Sequence, residues 1–175
     1  MKKVTYLTES AKKFTKEEAI AEAKRCLLCE EAYCNKRCPI NSNPKEFVKL
    51  VATEQFEKAI KLIRDNNPLF YSICTRVCPY DSYCVGGCRK SALGDNPIMI
   101  PFIQKYLVDY CDASDEVITS DHIQPKKVGQ KVAIIGSGPA GLAAAAVLGQ
   151  KGYEVTVFEA KKEVGGWLSY GIPPH

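Results

Sequence analysis

Eight of the nine cysteines fall into two tight runs, Cys26-x2-Cys29-x4-Cys34-x3-Cys38-Pro39 and Cys74-x3-Cys78-Pro79-x5-Cys84-x3-Cys88. Thiolates are soft ligands, and two sets of four at this spacing suit two 4Fe-4S clusters. One stretch of chain usually reaches three corners of a cube, so the fourth ligand comes from elsewhere. In bacterial ferredoxin patterns it is the cysteine after the x3 gap, followed by proline, that serves the other cluster. On that rule Cys26, Cys29 and Cys34 hold one cluster while Cys38 leaves for the second. Cys78 and Cys84 hold the second, and Cys88 returns to the first. Spacing alone would complete the second site with Cys74. The exchange ties together two segments separated by 35 residues.

Structural zinc is the rival reading, because it too takes all-cysteine sites. A second Cys-x2-Cys knuckle is missing, however, and both Cys-Pro steps favour iron-sulfur. An odd total of nine cysteines argues against a disulfide framework. Cys111, away from either run, reads as a small core residue. His122 and His175 have no partner ligands nearby in sequence and read as solvent-facing.

A second chemical motif follows. Gly136-Ser137-Gly138-Pro139-Ala140-Gly141 is a G-x-G-x-x-G turn between an apolar β run, Lys131 to Ile135, and a helical stretch, Leu142 to Lys151. Tyr153 to Glu159 then forms a second strand, with Glu159 at its end, 23 residues after Gly136. Gly136 permits the tight turn, Gly138 lets backbone amides approach a pyrophosphate, and Gly141 allows close helix-strand packing. The helix N-terminus offers positive dipole to the phosphates. Glu159 would accept from the adenosine ribose hydroxyls, which fits FAD or NAD better than a 2′-phosphorylated nucleotide. The bland alternative is that the glycines only shape a strand-helix turn.

The elements that position these groups can be read from pattern. Thr15 and Glu18 form a capping box for a short helix running into Cys26. Asn43-Pro44 makes an N-cap and N1 pair, and the apolar spacing from Phe47 to Ile63 gives two amphipathic helices, or one broken near Thr53. Pro97 to Cys111 reads as a further helical element with Pro101 in its first turn. The expected organisation is a mainly α, helical-ferredoxin-like iron-sulfur domain over 1–111 and a linker over 112–130. A partial α/β Rossmann-type βαβ unit over 131–175 completes it. Two parallel strands cannot cover their own faces and edges, so a chain completed by further sequence or a partner is expected.

Composition sets limits on function. At 175 residues, 46% hydrophobic and with net charge +4, the chain has a core's worth of apolar residues but no polybasic run interleaved with aromatics, so nucleic acid is not expected as a partner. No apolar stretch of about 18 residues or signal-like N-terminus is present, so a cytoplasmic protein is expected, in a compartment that keeps thiols reduced.

Together with Val164-Gly165-Gly166-Trp167-Leu168 and Gly171-Ile172-Pro173, these motifs resemble the N-terminal part of the glutamate synthase small subunit and dihydropyrimidine dehydrogenase flavoproteins. The resemblance covers roughly residues 15 to 173. It implies a helical domain with two 4Fe-4S clusters, then FAD and NADPH domains, with electrons passing from NAD(P)H to FAD and through the clusters to a partner subunit or distant site. The NAD(P)H domain is absent from this chain. Carried over by residue, the first cluster falls on Cys26, Cys29, Cys34 and Cys88. The second falls on Cys38, Cys78, Cys84 and a non-cysteine ligand sixteen residues after Cys88, which here is Gln104. Resemblance and spacing therefore disagree over Gln104 and Cys74. A glutamine looks like the dihydropyrimidine dehydrogenase branch; the alternatives are the glutamate synthase small subunit and an NADPH-ferredoxin oxidoreductase type flavoprotein. In the family's FAD site Gly136 to Ala140 sit at the pyrophosphate, and Glu159, Lys161, Gly165, Gly166 and Trp167 run from ribose toward flavin. Trp167 could equally be a packing residue. The resemblance assigns no catalytic residue to this chain. The non-enzymatic alternative is a zinc-stabilised interaction module.

Overall fold

The computed structural model describes residues 13–113 and 126–172. They form two compact units, a helical one and a βαβ one.

In the helical unit, α1 spans Lys16–Lys24 and opens on the expected capping box: the Thr15 hydroxyl accepts from the Glu18 N–H at 3.2 Å, and the Glu18 carboxylate accepts from the Thr15 N–H at 2.9 Å. Ala19 and Ala23 are its buried face. The Cys26 N–H still donates to the Ala23 carbonyl, so the first cysteine is fixed by the helix end. Helix α2 (Tyr33–Arg37) lies inside the first cysteine run. Helices α3 (Pro44–Ala52) and α4 (Phe56–Asn66) follow as two elements, broken at Glu54, whose φ of 58° is left-handed. Short helices α5 (Cys74–Val77) and α6 (Arg89–Ala92) bracket a 3-10 turn at Tyr80–Ser82, and α7 (Ile100–Ala113) closes the unit.

The α3 N-terminus differs from expectation. Asn43 is left-handed and its side chain makes no cap. Asn35 on α2 does so instead, its Oδ1 accepting from the Lys45 N–H at 2.9 Å while its amide donates to Asn43 Oδ1 at 2.7 Å. A cysteine-run helix thus caps a core helix. Helix α7 starts at Ile100 rather than Pro97 because the preceding amides are committed elsewhere: Ile98 N–H donates to the Cys88 sulfur at 3.4 Å and Met99 N–H to the Glu22 carboxylate at 2.8 Å. Pro101 sits in its first turn as expected. The helix passes residue 111 to Ala113, so the expected linker begins inside it. Residues 114–125, with His122, and residues 173–175, with His175, lie outside the described residues.

Helices α1, α3, α4 and α7 pack around one apolar core. Phe47, Val51, Ile60, Ile63, Ile103 and Leu107 are all at most 1% exposed, and Cys111 joins them. Each such large side chain contributes on the order of 1.5–3 kcal/mol. These four helices form the scaffold that carries the cysteine loops at its periphery.

In the βαβ unit, β1 (Lys131–Ile135) and β2 (Glu154–Phe158) pair in parallel, Lys131 opposite Glu154 and Ile135 opposite Phe158. Helix α8 (Pro139–Gln150) connects them, and a short α9 (Trp167–Tyr170) follows.

Glu22 is the helical unit's central polar tie. Besides receiving Met99, it accepts from Arg25 at 2.7 and 2.9 Å, and Arg25 reaches Asp95 and the Asn96 carbonyl. Glu22→Ala leaves the partly buried Met99 N–H without its acceptor and removes the Arg25 Nη1 contacts, while Arg25 Nη2 keeps Asp95 and the Asn96 carbonyl. Chemical denaturation should show a loss of about 2 kcal/mol, the cost of orphaning such donors.

Candidate iron-sulfur and dinucleotide sites

Cys26, Cys29, Cys34 and Cys88 line a single cavity, backed by Val48, Ile98 and Ile100 and flanked by Lys45, Arg89 and Lys90. Three thiols come from the first run and one from the second. The second group mirrors it: Cys38 of the first run lies beside Cys78 and Cys84 of the second, close enough for their like charges to oppose ionisation. Cys74 shares that neighbourhood, next to Cys78 and Cys38.

Local chemistry fits a cluster donor set. Burial pushes the Cys34 and Cys74 thiols up to about 11 and Cys84 to about 12, and it raises Cys26 and Cys78 as well. Buried thiolates without a cation are costly, whereas a metal centre deprotonates its thiols outright. Donors for charged sulfur are in place. Cys88 accepts from Ile98 N–H, and Cys38 accepts from Ser42 N–H at 3.4 Å and lies 3.2 Å from the Ser42 hydroxyl. Among the described residues no three His, Cys, Asp or Glu side chains close on a single ion.

Gln104 is 6% exposed, not a surface amide. Its Nε2 donates to the Tyr71 carbonyl at 2.7 Å, which fixes the amide and turns its oxygen away from that carbonyl. Cys74 is held by the Asn67 amide, 3.6 Å from its sulfur.

Two residues that the sequence reading passed over hold the runs together. A Cβ on Gly86 would lie 2.0 Å from the Asp81 carbonyl oxygen, and one on Gly87 would lie 2.9 Å from the Tyr33 carbonyl oxygen on α2. Arg37, also on α2, donates to the Gly86 carbonyl at 2.9 Å. The loop between Cys84 and Cys88 therefore lies flush on the helix between Cys34 and Cys38. Two adjacent glycines inside a ligand loop were the available signal.

In the βαβ unit the glycine turn has the expected form. Gly136 is at φ 94°, a Cβ on Gly141 would meet the Gly136 carbonyl oxygen at 2.0 Å, and the space beside Gly138 is open. The open side is a cradle that any side chain at Gly138 would fill, which fits a pyrophosphate. Ser137 lies within this turn with its side chain toward Glu159. It is wholly buried, and both its N–H and its hydroxyl face Glu159. The Ser137 hydroxyl, helped by the Lys161 and Ser137 amides, holds the Glu159 carboxyl down at about 2. Gly165 and Gly166, at φ 110° and 54°, bring their loop against this turn, while Trp167 is 79% exposed at the start of α9. Lys161 places its ammonium 4.4 Å from the Tyr170 ring centre.

Fold and sites together define an iron-sulfur type helical unit with a Rossmann-type unit after it in sequence. A family model described as dihydropyrimidine dehydrogenase domain II, 4Fe-4S cluster, matches residues 3–116, and the chain belongs to that family. A second model, NAD(P)-binding Rossmann-like domain, matches residues 134–172. The chain is 41% identical over 174 residues to the NAD-dependent dihydropyrimidine dehydrogenase subunit PreT of Salmonella typhimurium, covering 99% of this chain and 41% of that protein. The PreT of Escherichia coli K12 gives 41% over 175 residues, with the same coverage. The glutamate synthase [NADPH] small chain of Azospirillum brasilense is 36% identical over 161 residues, 92% of this chain and 33% of that one. The chain thus spans about two fifths of the length of the first of these curated relatives.

Gly86→Ala should lower iron incorporation at both sites, because one displaced loop carries Cys84 and Cys88. Iron per purified chain measures this, and a wild-type value would show that the close approach to Asp81 is dispensable.

Proposed function

We propose that the chain is an electron-transfer module with two 4Fe-4S clusters, part of an NAD(P)H-dependent flavoprotein oxidoreductase of the dihydropyrimidine dehydrogenase subunit type. The observation that carries the reading is the meeting of thiols from both runs in each group. Cys88 joins Cys26, Cys29 and Cys34, and Cys38 joins Cys78 and Cys84. In this reading the first set holds one cluster, and Cys38, Cys78, Cys84 and Gln104 hold the other. When bound, the clusters supply one-electron transfer and FAD supplies the exchange between a two-electron donor and one-electron carriers.

The chain's residues have defined tasks in this reading. Val48, Ile98 and Ile100 keep water from the first thiol set, and Lys45, Arg89 and Lys90 offset its negative charge. The amides of Ser42 and Ile98 stabilise sulfur charge and tune potential. The Gln104 amide oxygen, fixed through Tyr71, leaves the second cluster one charge less negative than a fourth thiolate would. Gly136 to Gly141 present backbone and helix dipole to the FAD pyrophosphate, with Glu159 toward the ribose. In this reading a nicotinamide-binding domain and an electron-accepting partner subunit complete the electron path, and the whole works in a thiol-reducing cytoplasm.

Anaerobic purification followed by iron and acid-labile sulfide analysis tests the proposal. About eight irons with matching sulfide per chain are expected for two cubes. Zinc without sulfide would make the chain a zinc-stabilised interaction module instead. In electron paramagnetic resonance of the reduced protein, Gln104→Ala should alter one cluster's signal only. An unaltered spectrum would transfer the fourth position to Cys74.

A further inference from the structure

Glu159 is anchored before any nucleotide arrives. Its Oε2 accepts from the Ser137 N–H at 2.8 Å and from the Ser137 hydroxyl at 2.5 Å, and its Oε1 accepts from the Lys161 N–H at 2.9 Å. A carboxylate offers about four lone-pair sites. Two of these donors come from one residue and both fall on Oε2, while the Lys161 N–H, with the Ala160 N–H also bearing on the carboxylate, leaves Oε1 the less committed oxygen. The same serine holds the following loop: its carbonyl accepts from the Gly165 N–H at 3.0 Å, and its hydroxyl oxygen lies 3.3 Å from that nitrogen. Next along, a Cβ on Gly166 would lie 3.1 Å from the Gly138 Cα, so this loop abuts the phosphate turn itself.

We propose that Ser137 is a positioning residue for adenosine-ribose recognition, gripping one carboxylate oxygen of Glu159 so that the other is presented to a ribose hydroxyl. This rests on the dinucleotide reading of the glycine turn given above. Ser137 itself contacts no nucleotide. Its N–H is spent on Glu159, so it is not an amide for the pyrophosphate, and its side chain is wholly buried. A glutamate side chain has three rotatable bonds, and ordering it before binding removes an entropic cost that the nucleotide would otherwise meet. The serine hydroxyl also favours the ionised form of the acid, its hydrogen bond being the largest influence that holds that carboxyl at about 2. An ionised acid accepts from a ribose hydroxyl and repels a 2′-phosphate. The link from Ser137 to Gly165 joins the acid, the turn and the second glycine pair in one hydrogen-bonded unit.

The test uses the natural full-length protein stripped of flavin, with ADP and 2′,3′-dideoxy-ADP competing against FAD, read by flavin fluorescence. Wild type should prefer ADP by ~10-fold or more, the value of a hydrogen bond to a charged acceptor. Ser137→Ala should bring that preference to within ~3-fold, as should Glu159→Gln, and the double variant should lose little more, because the two act as one unit. Ser137→Gly, which removes the same hydroxyl without a methyl facing the acid, should match Ser137→Ala. A serine that merely fills space would weaken both nucleotides alike and leave the ratio intact, and that result overturns the proposal. A wild-type protein that takes up no FAD or ADP would defeat the dinucleotide reading, and this inference with it. FAD uptake without any ribose-hydroxyl preference would defeat only the role given to Glu159 and Ser137.

Discussion

Two groups of half-buried sulfur atoms, each assembled from both cysteine runs, are the constraint around which the helical unit is arranged. A thiolate set carries negative charge into a place where burial already raises Cys34 to about 11 and Cys84 to about 12. Such a set is tolerable only when a cation centre compensates it and backbone donors face the sulfur. In the proposed ligand assignment Cys38 and Cys88 change sides, so that neither run makes its site alone. The core of α1, α3, α4 and α7 serves to hold the two loops in register.

The polar contacts around that core follow from the same demand. Asn35, between Cys34 and Cys38, caps α3, so the position of the first run is tied to a core helix. Glu22 takes the Met99 amide and Arg25, which fixes the end of α1 before Cys26 against the segment leading from Cys88 into α7. Gly86 and Gly87 let the second run lie against α2 without a side chain between them. Each contact joins a residue next to one run with a residue next to the other or with the scaffold.

Much of this was legible in the sequence because the signals were local. The capping box at Thr15, the break between α3 and α4 and the strand-turn-helix-strand order each rest on spacing within one motif. What was not legible depended on contacts across the fold. Asn43 has the right residue type for a side-chain cap, yet the competing bond to Asn35 takes its oxygen. Pro97 lies at a plausible helix start, but cysteine and glutamate acceptors 10 and 77 residues away claim the amides of Ile98 and Met99. Ser137 occupies an unspecified place in the glycine motif, and only the approach of the β2 end reveals that its hydroxyl faces Glu159. Gly86 and Gly87 were visible as letters, but their necessity comes from carbonyl oxygens of Asp81 and Tyr33.

The most direct measurement of the ligand exchange is paired electron paramagnetic resonance on the reduced, anaerobically prepared serine variants of Cys34, Cys38, Cys84 and Cys88. Cys38→Ser and Cys84→Ser should alter one signal, and Cys34→Ser and Cys88→Ser the other, although each pair spans both runs. Contradiction would come from the opposite grouping, with Cys34→Ser and Cys38→Ser changing the same signal and Cys84→Ser and Cys88→Ser the other.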